Sequence, residues 1–272
     1  MIRKFYLENE YGDKYYFDNR NQTLLSQVSG LGFVLDIQYL DYGNLYKKAD
    51  YSIPVTEIKE TLIFLNGYIG YKAFVDYLSR TKKELKLHYE TDAFNAYCYV
   101  DISTLSKGEI VANTIQSQIT FKKLSYWQKE RVFEIIANGT ISGKVYQYIY
   151  PYEYSNSYGG AINIQNQGLN KSPLIIEIIG NVVNPEVIVK KAGEVVSILR
   201  LYIETDNANI IVNSNPTSQE ITLNGNDIYS LQDFEEDNFM YLDHGDYELE
   251  FKPGVSTSTL CRISLLENYL GI

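Results

Sequence analysis

The feature that most constrains this chain is a period of two. In Ile115, Ser117, Ile119 and Phe121 every second residue can enter a core, while Gln116 and Gln118 between them stay wet, as in a strand with one buried face. The same alternation runs through Phe33, Leu35, Ile37 and Tyr39, spaced by Asp36 and Gln38, and through Leu85, Leu87 and Tyr89. It recurs in Ala96, Cys98, Val100 and Ile102, with Tyr97 and Tyr99 on the opposite face. Tyr11-Gly12-Asp13 and Asn224-Gly225 supply hairpin turns, because Gly and Asn accept positive φ cheaply. A mainly β fold is the expectation.

One segment departs from the rule. Tyr71, Phe74, Val75 and Leu78 recur at i, i+3, i+4 and i+7 after Gly70 and before the basic run Arg80 to Lys83, which predicts a helix lying on a sheet. The second half offers short strands instead, at Ala161 to Ile164, Leu174 to Ile179, Val195 to Glu204 and Tyr247 to Phe251. Many strands separated by Gly, Asn and Pro turns predict a sandwich or jelly roll.

At 272 residues the chain exceeds the size at which one core usually stops growing, so two domains are expected. Charge divides it in the same way. Residues 1–143 carry 17 basic and 17 acidic side chains, whereas 144–272 carry 7 and 17, so the whole net charge of −10 lies in the second half. A boundary near Gly139 to Gly143 follows, with domains over 1–140 and 141–272. No Lys/Arg cluster interleaves with stacking aromatics, which argues against nucleic acid or an anionic membrane as partner. The N-terminus has no apolar leader, and the most apolar stretch, Leu174 to Val183, is short and broken by Glu177, so neither secretion nor membrane spanning is expected. Cys98 and Cys261 fall one in each presumed domain and read as reduced, packed thiols.

Tyrosine is the compositional oddity, 26 residues against the single Trp127. Tyr146, Tyr148, Tyr150, Tyr152 and Tyr154 would line one face of an extended strand, which Pro151 confines to an edge. One tyrosine fills a sheet face; a run of five suits a contact surface, since the ring buries apolar area while its hydroxyl stays wet.

Chemistry is scarce by comparison. With only His88 and His244, the HExxH pattern, three-histidine zinc sites and most histidine-based triads lack ligands or bases. His88 reads as an edge or surface histidine. Asp243-His244-Gly245-Asp246 reads as a tight turn rather than a metal site. Asp206-Asn207-Ala208-Asn209 lacks the Gly and bidentate Glu of a calcium loop. Asn138-Gly139-Thr140 matches a glycosylation acceptor but is most simply a turn. No GxGxxG, GxxxxGK[ST] or GxSxG occurs, so no catalytic residue, cofactor or metal is assigned.

The order of these pieces resembles one family. Phe5-Tyr6-Leu7, the turn at Gly12 and Ser29-Gly30-Leu31-Gly32-Phe33 before an alternating strand are similar to the start of the distal tail proteins of long-tailed bacteriophages. Gly67-Tyr68 before the helix, Leu85 to Tyr89, and Ile115 to Phe121 closed by Leu124-Ser125-Tyr126-Trp127 resemble the rest of that family's N-terminal domain. The Tyr146 to Tyr154 run and Asn184-Pro185 after Gly180 resemble the start of its C-terminal domain.

The resemblance implies a virion protein, made in the cytoplasm of a Gram-positive host, that acts as a non-enzymatic hub of the tail tip or baseplate. It implies an N-terminal sandwich-like domain that closes into a hexameric ring, single or stacked in pairs, and a galectin-like C-terminal sandwich outside it. The implied partners are further copies of the chain, the tail tube protein, the tail-associated lysin or fibre protein, and receptor-binding or adaptor proteins. The rival reading is a carbohydrate-binding or host-receptor module, which an aromatic-rich sandwich could also be. Tryptophan discriminates, because sugar platforms favour exposed Trp. Finally, Asp227 to Glu250 holds nine carboxylates and no Lys or Arg, which is either a solvated face or a docking patch for a basic partner.

Overall fold

The computed structural model describes residues 3–137, 159–168, 171–255 and 258–272. The tyrosine run, the Asn138 acceptor motif and the Gly139 to Gly143 boundary lie outside them. The chain is mainly β and divides into two compact units, residues 1–129 with Tyr269–Ile272, and Glu130–Asn268.

The first unit contains β1 (Lys4–Asn9), β2 (Lys14–Tyr16), β3 (Thr23–Ser29), β4 (Asp36–Asp41), β5 (Tyr46–Ser52) and β6 (Thr56–Phe64). It continues with α1 (Gly67–Arg80), β7 (Leu85–Glu90), β8 (Asn95–Leu105), β9 (Ile110–Val111), β10 (Thr114–Lys123) and the first residues of β11 (Trp127–Ala137). Two antiparallel sheets share β8. Its first half, Asn95 to Tyr99, pairs with β7 in the order β2-β1-β7-β8, and its second half, Val100 to Leu105, pairs with β10 in the order β8-β10-β6-β3. A strand that serves two sheets folds them over one another, and the inward residues fill the space between. Leu7, Leu87 and Cys98 from one sheet are buried with Ile58, Leu62, Phe64, Ile115, Ile119 and Phe121 from the other. This is the alternation that the sequence predicts for these strands.

Helix α1 closes the open side of the core. It runs four residues earlier than the Tyr71 to Leu78 periodicity marks, from Gly67, where φ of +52° admits glycine readily. Gly70 lets the helix approach to van der Waals contact with Phe64, where an added Cβ would lie 3.4 Å from the Phe64 side chain. Phe74 is fully buried among Tyr15, Phe17 and Phe64, at ring separations of 4.9, 6.1 and 5.8 Å. Truncating Phe74 to Ala should cost about 3–5 kcal/mol, because three aromatic neighbours cannot collapse into the void, and denaturant unfolding measures it.

The second unit takes in the rest of β11, then β12 (Gly160–Asn166), β13 (Ser172–Val183), β14 (Glu186–Lys191), β15 (Glu194–Arg200), β16 (Glu204–Asn213), β17 (Glu220–Leu223), β18 (Asn226–Asp227), a 3-10 turn (Tyr229–Leu231), β19 (Tyr241–Leu242), β20 (Gly245–Lys252) and β21 (Thr259–Tyr269). One sheet runs β18-β17-β16-β13-β21, with β11 beside β21, and the other β12-β20-β14-β15. Ile176, Ile178, Ile210, Val212, Cys261 and Ile263 of the first face Ile164, Val187, Val189, Leu199, Leu249 and Phe251 of the second across a common core. Asn224 and Gly225, at φ of +49° and +80°, make the two-residue turn from β17 to β18.

Two strand expectations need correcting. Val195 to Glu204 is not one strand: it breaks after Arg200, where Leu201 bridges Gln232 and the Tyr202 N–H donates to the Leu231 carbonyl at 2.7 Å. The second correction concerns residues 33 to 39.

Candidate assembly surface

Phe33 to Tyr39 alternate as a half-buried strand should, yet β4 finds no sheet to join. It pairs only with β5, in register from Asp36 with Ser52 to Asp41 with Tyr46, and the two-stranded ribbon stands apart from both sheets of its unit. The tip is an orderly turn, with Gly43 at φ +85° donating to the Asp41 carboxylate at 2.7 Å and Tyr42 donating to the Leu45 carbonyl at 2.9 Å. The side chains are those of a core without one: Tyr39, Leu40, Tyr42, Leu45 and Tyr46 are 48 to 74% exposed. A lone hairpin is marginal in water, and a run of exposed Leu and Tyr on such a ribbon is a candidate surface for contact with another chain.

The root of the ribbon is firmly built. At Gly30, φ +87°, the backbone passes so close to β6 that a Cβ would sit 2.1 Å from the Glu57 carbonyl oxygen, so only glycine fits. The Leu31 carbonyl accepts the Ile272 N–H at 3.3 Å, and the half-buried Leu31 and Ile272 pack on the core. Beside the root, Gly30, Gly32, Phe33, Val34, Pro54 and Val55 line an open apolar cleft of about 390 Å³.

Behind the root, β6 carries an unexpected group. Its inward parity, Ile58, Glu60, Leu62, Phe64, sends a carboxyl group into the core, where Glu60 is 3% exposed and neither oxygen has a hydrogen-bond partner. Burial pushes its pKa up to about 8 against the weak opposing pull of Arg3. Lys123 nearby is also buried, donating to the Leu270 carbonyl at 3.3 Å, with its pKa lowered by desolvation.

The residues singled out for chemistry stay apart. His88 is not at an edge: β7 lies between β1 and β8, and the imidazole stacks on Tyr6 at 4.3 Å. Burial holds its pKa down to about 4, outweighing Glu8 at 3.4 Å, so the ring is neutral. His244 sits on an exposed turn, Nδ1 3.3 Å from the Gly168 carbonyl oxygen. Asn207 and Asn209 are held by the Asn181 and Asn224 side chains. Both cysteines are buried free thiols, and burial pushes Cys261 up to about 12. Among the described residues no group of three or more His, Cys, Asp or Glu is placed to hold a metal ion. Trp127 is fully buried, its ring edge-on to Tyr89 at 6.4 Å, so it offers no platform to a sugar. In the acidic stretch, Asp233 pairs with Arg200 and Glu250 with Lys190, while Asp227, Glu235 and Asp237 remain exposed.

A search of curated proteins returned no match. Residues 4–124 match the sequence family model of the distal tail protein, N-terminal domain. Among solved structures, the Dit (gp 19.1) protein of phage SPP1, described as a paradigm of the hub adsorption apparatus in phages infecting Gram-positive bacteria, superposes with a TM-score of 0.62 at 11% identity, covering 97% of this chain and 98% of that one. A chain of the phage P2 baseplate in its activated conformation superposes at 0.61 with 16% identity, covering 94% and 100%. Sequence family and fold point the same way: the first unit is similar to the N-terminal domain of distal tail proteins, and nearly the whole chain has the fold seen in phage tail hub and baseplate proteins.

Proposed function

We propose that this chain is the structural hub of a long-tailed phage's tail tip in a Gram-positive host, assembled as a hexameric ring. The ring joins the tail tube to the tail-associated fibre or lysin and to the receptor-binding apparatus, and the chain performs no catalysis. Residues 1–140 make the ring and 141–272 form an outer, galectin-like domain that receives partners.

The exposed β4–β5 ribbon carries this reading. Its exposed Tyr and Leu side chains stand on a ribbon that pairs with neither sheet of its unit, so a neighbouring copy can cover them, and contacts that run head to tail between identical subunits either close into a ring or polymerise. The electrical balance of residues 1–143 fits close approach of identical copies, which a strongly charged face would resist.

Light scattering across a concentration series tests the reading. A constant mass of six subunits, or twelve for paired rings, is expected in moderate salt. A monomer at every concentration overturns self-assembly of the hub.

A further inference from the structure

The second unit carries an outward-facing aromatic cluster that its core does not use. Tyr202, Tyr229 and Phe234 are 53, 50 and 68% exposed. The Tyr229 ring meets Phe234 edge-on at 5.9 Å and stacks toward Phe239 at 6.5 Å. Val195 and Val196, at the start of the edge strand β15, are exposed as well.

The loop that presents these rings is tied down from within. The Asp233 carboxylate accepts Arg200 Nη1 at 2.8 Å, the Tyr202 hydroxyl at 2.9 Å and the Glu235 N–H at 3.1 Å. Asn238 donates from Nδ2 to the carbonyls of Asp233 and Glu236, and its Oδ1 accepts the Arg200 N–H at 3.0 Å. The Ser197 hydroxyl donates to the Asp237 carbonyl at 3.1 Å, which lays the loop along the free edge of β15. Polar groups are thus spent inward while apolar rings face out, on a segment already ordered and so with little conformational freedom left to lose on docking.

The charge around the rings selects the occupant. Between Lys191 and Lys252 the chain has one basic residue, Arg200, against thirteen acidic ones. Arg200 is itself committed to Glu186, Asp233 and Glu236. Glu235 and Asp237 stand exposed beside Phe234, with Glu236 partly so, and Asp227 lies two residues before Tyr229. Such a field repels nucleic acid and anionic lipid. The second half of another copy offers no complement, since it is acidic as well. A guanidinium or ammonium group answers both features, because it lies over an aromatic face and pairs with a neighbouring carboxylate.

We propose that Tyr202, Tyr229 and Phe234, with the carboxylates of Glu235 to Asp237, form a docking surface for an arginine- or lysine-rich segment of another protein. The surface stands on the structure of the second unit; only the partner's being a tail component rests on the hub reading.

The test uses the full chain and a fluorescent peptide of about ten residues alternating arginine and serine, with a glutamate-for-arginine control. Anisotropy should show binding of the basic peptide alone, weaker at high salt, and hydrogen exchange should slow over residues 229–238. Tyr229→Ser with Phe234→Ser should weaken binding by roughly tenfold or more, as expected for aromatic anchors; both rings are exposed, so the fold survives. No binding, unchanged affinity in the double variant, or protection confined to other parts of the chain overturns the proposal. The double variant should keep the wild-type mass in light scattering. Rings without peptide binding therefore count against the docking surface alone, and peptide binding without rings against the hub alone.

Discussion

Replacing Tyr39, Leu40 and Tyr46 together with serine is expected to turn the assembly into monomers without unfolding the subunit. The three side chains are 58, 48 and 70% exposed on a ribbon that packs on neither sheet of its unit, so the isolated chain loses little when they shrink. In a ring each becomes buried against a neighbour, where a large apolar side chain contributes about 1.5–3 kcal/mol. Three losses at every interface weaken each contact by roughly a hundredfold or more, even if much of the nominal gain is offset by ordering. The checks are sedimentation for mass and circular dichroism for fold. Rings that persist in the triple variant would place the subunit contact elsewhere.

Replacing Glu60 with leucine should raise stability more as pH increases. In the folded chain its carboxyl has a pKa near 8, while the unfolded chain returns it to about 4.3. The folded state therefore holds a proton that the unfolded state releases, so stability falls as pH rises between the two values, by up to about 1.4 kcal/mol per unit, and levels off above pH 8. His88 has the opposite sign: its folded pKa is near 4 against an ordinary 6.5, so it adds stability as pH rises through that interval. Asp18 and Glu250, lowered by Arg20 and Lys190, lose their contributions only in acid. The Glu60 slope is thus read from about pH 6.5 to 8, where wild type should lose about 1.6 kcal/mol more than Glu60→Leu. An apolar side chain of similar size is tolerated where a buried, unpaired carboxyl stood. Parallel urea profiles for the two proteins across that window would refute a buried, protonated Glu60.

Much of the architecture was legible because burial follows chain period. The inward sets Ile115, Ser117, Ile119, Phe121 and Ala96, Cys98, Val100 came out buried, and Phe74 anchors the predicted helix. What period cannot say is whether a face has anything to face. Phe33 to Tyr39 obey the same alternation as Ile115 to Phe121, but the first belongs to a ribbon with one partner and the second to a strand with neighbours on both sides. Glu60 could have been found, since it shares parity with Ile58, Leu62 and Phe64, and an acid at an inward position is itself a signal. The break after Arg200 could not, because it depends on the Leu231 to Asn238 loop docking from thirty residues away. Nor could the return of Tyr269–Ile272 to the first unit, a pairing that only the folded chain creates.

The central claim is that copies of this chain close into a ring through the first unit. Electron micrographs of the purified full-length protein test it most directly. The account predicts closed rings with six-fold symmetry that vanish in the Tyr39, Leu40, Tyr46 triple variant. Isolated single subunits, or open filaments, at concentrations where light scattering is steady would contradict it.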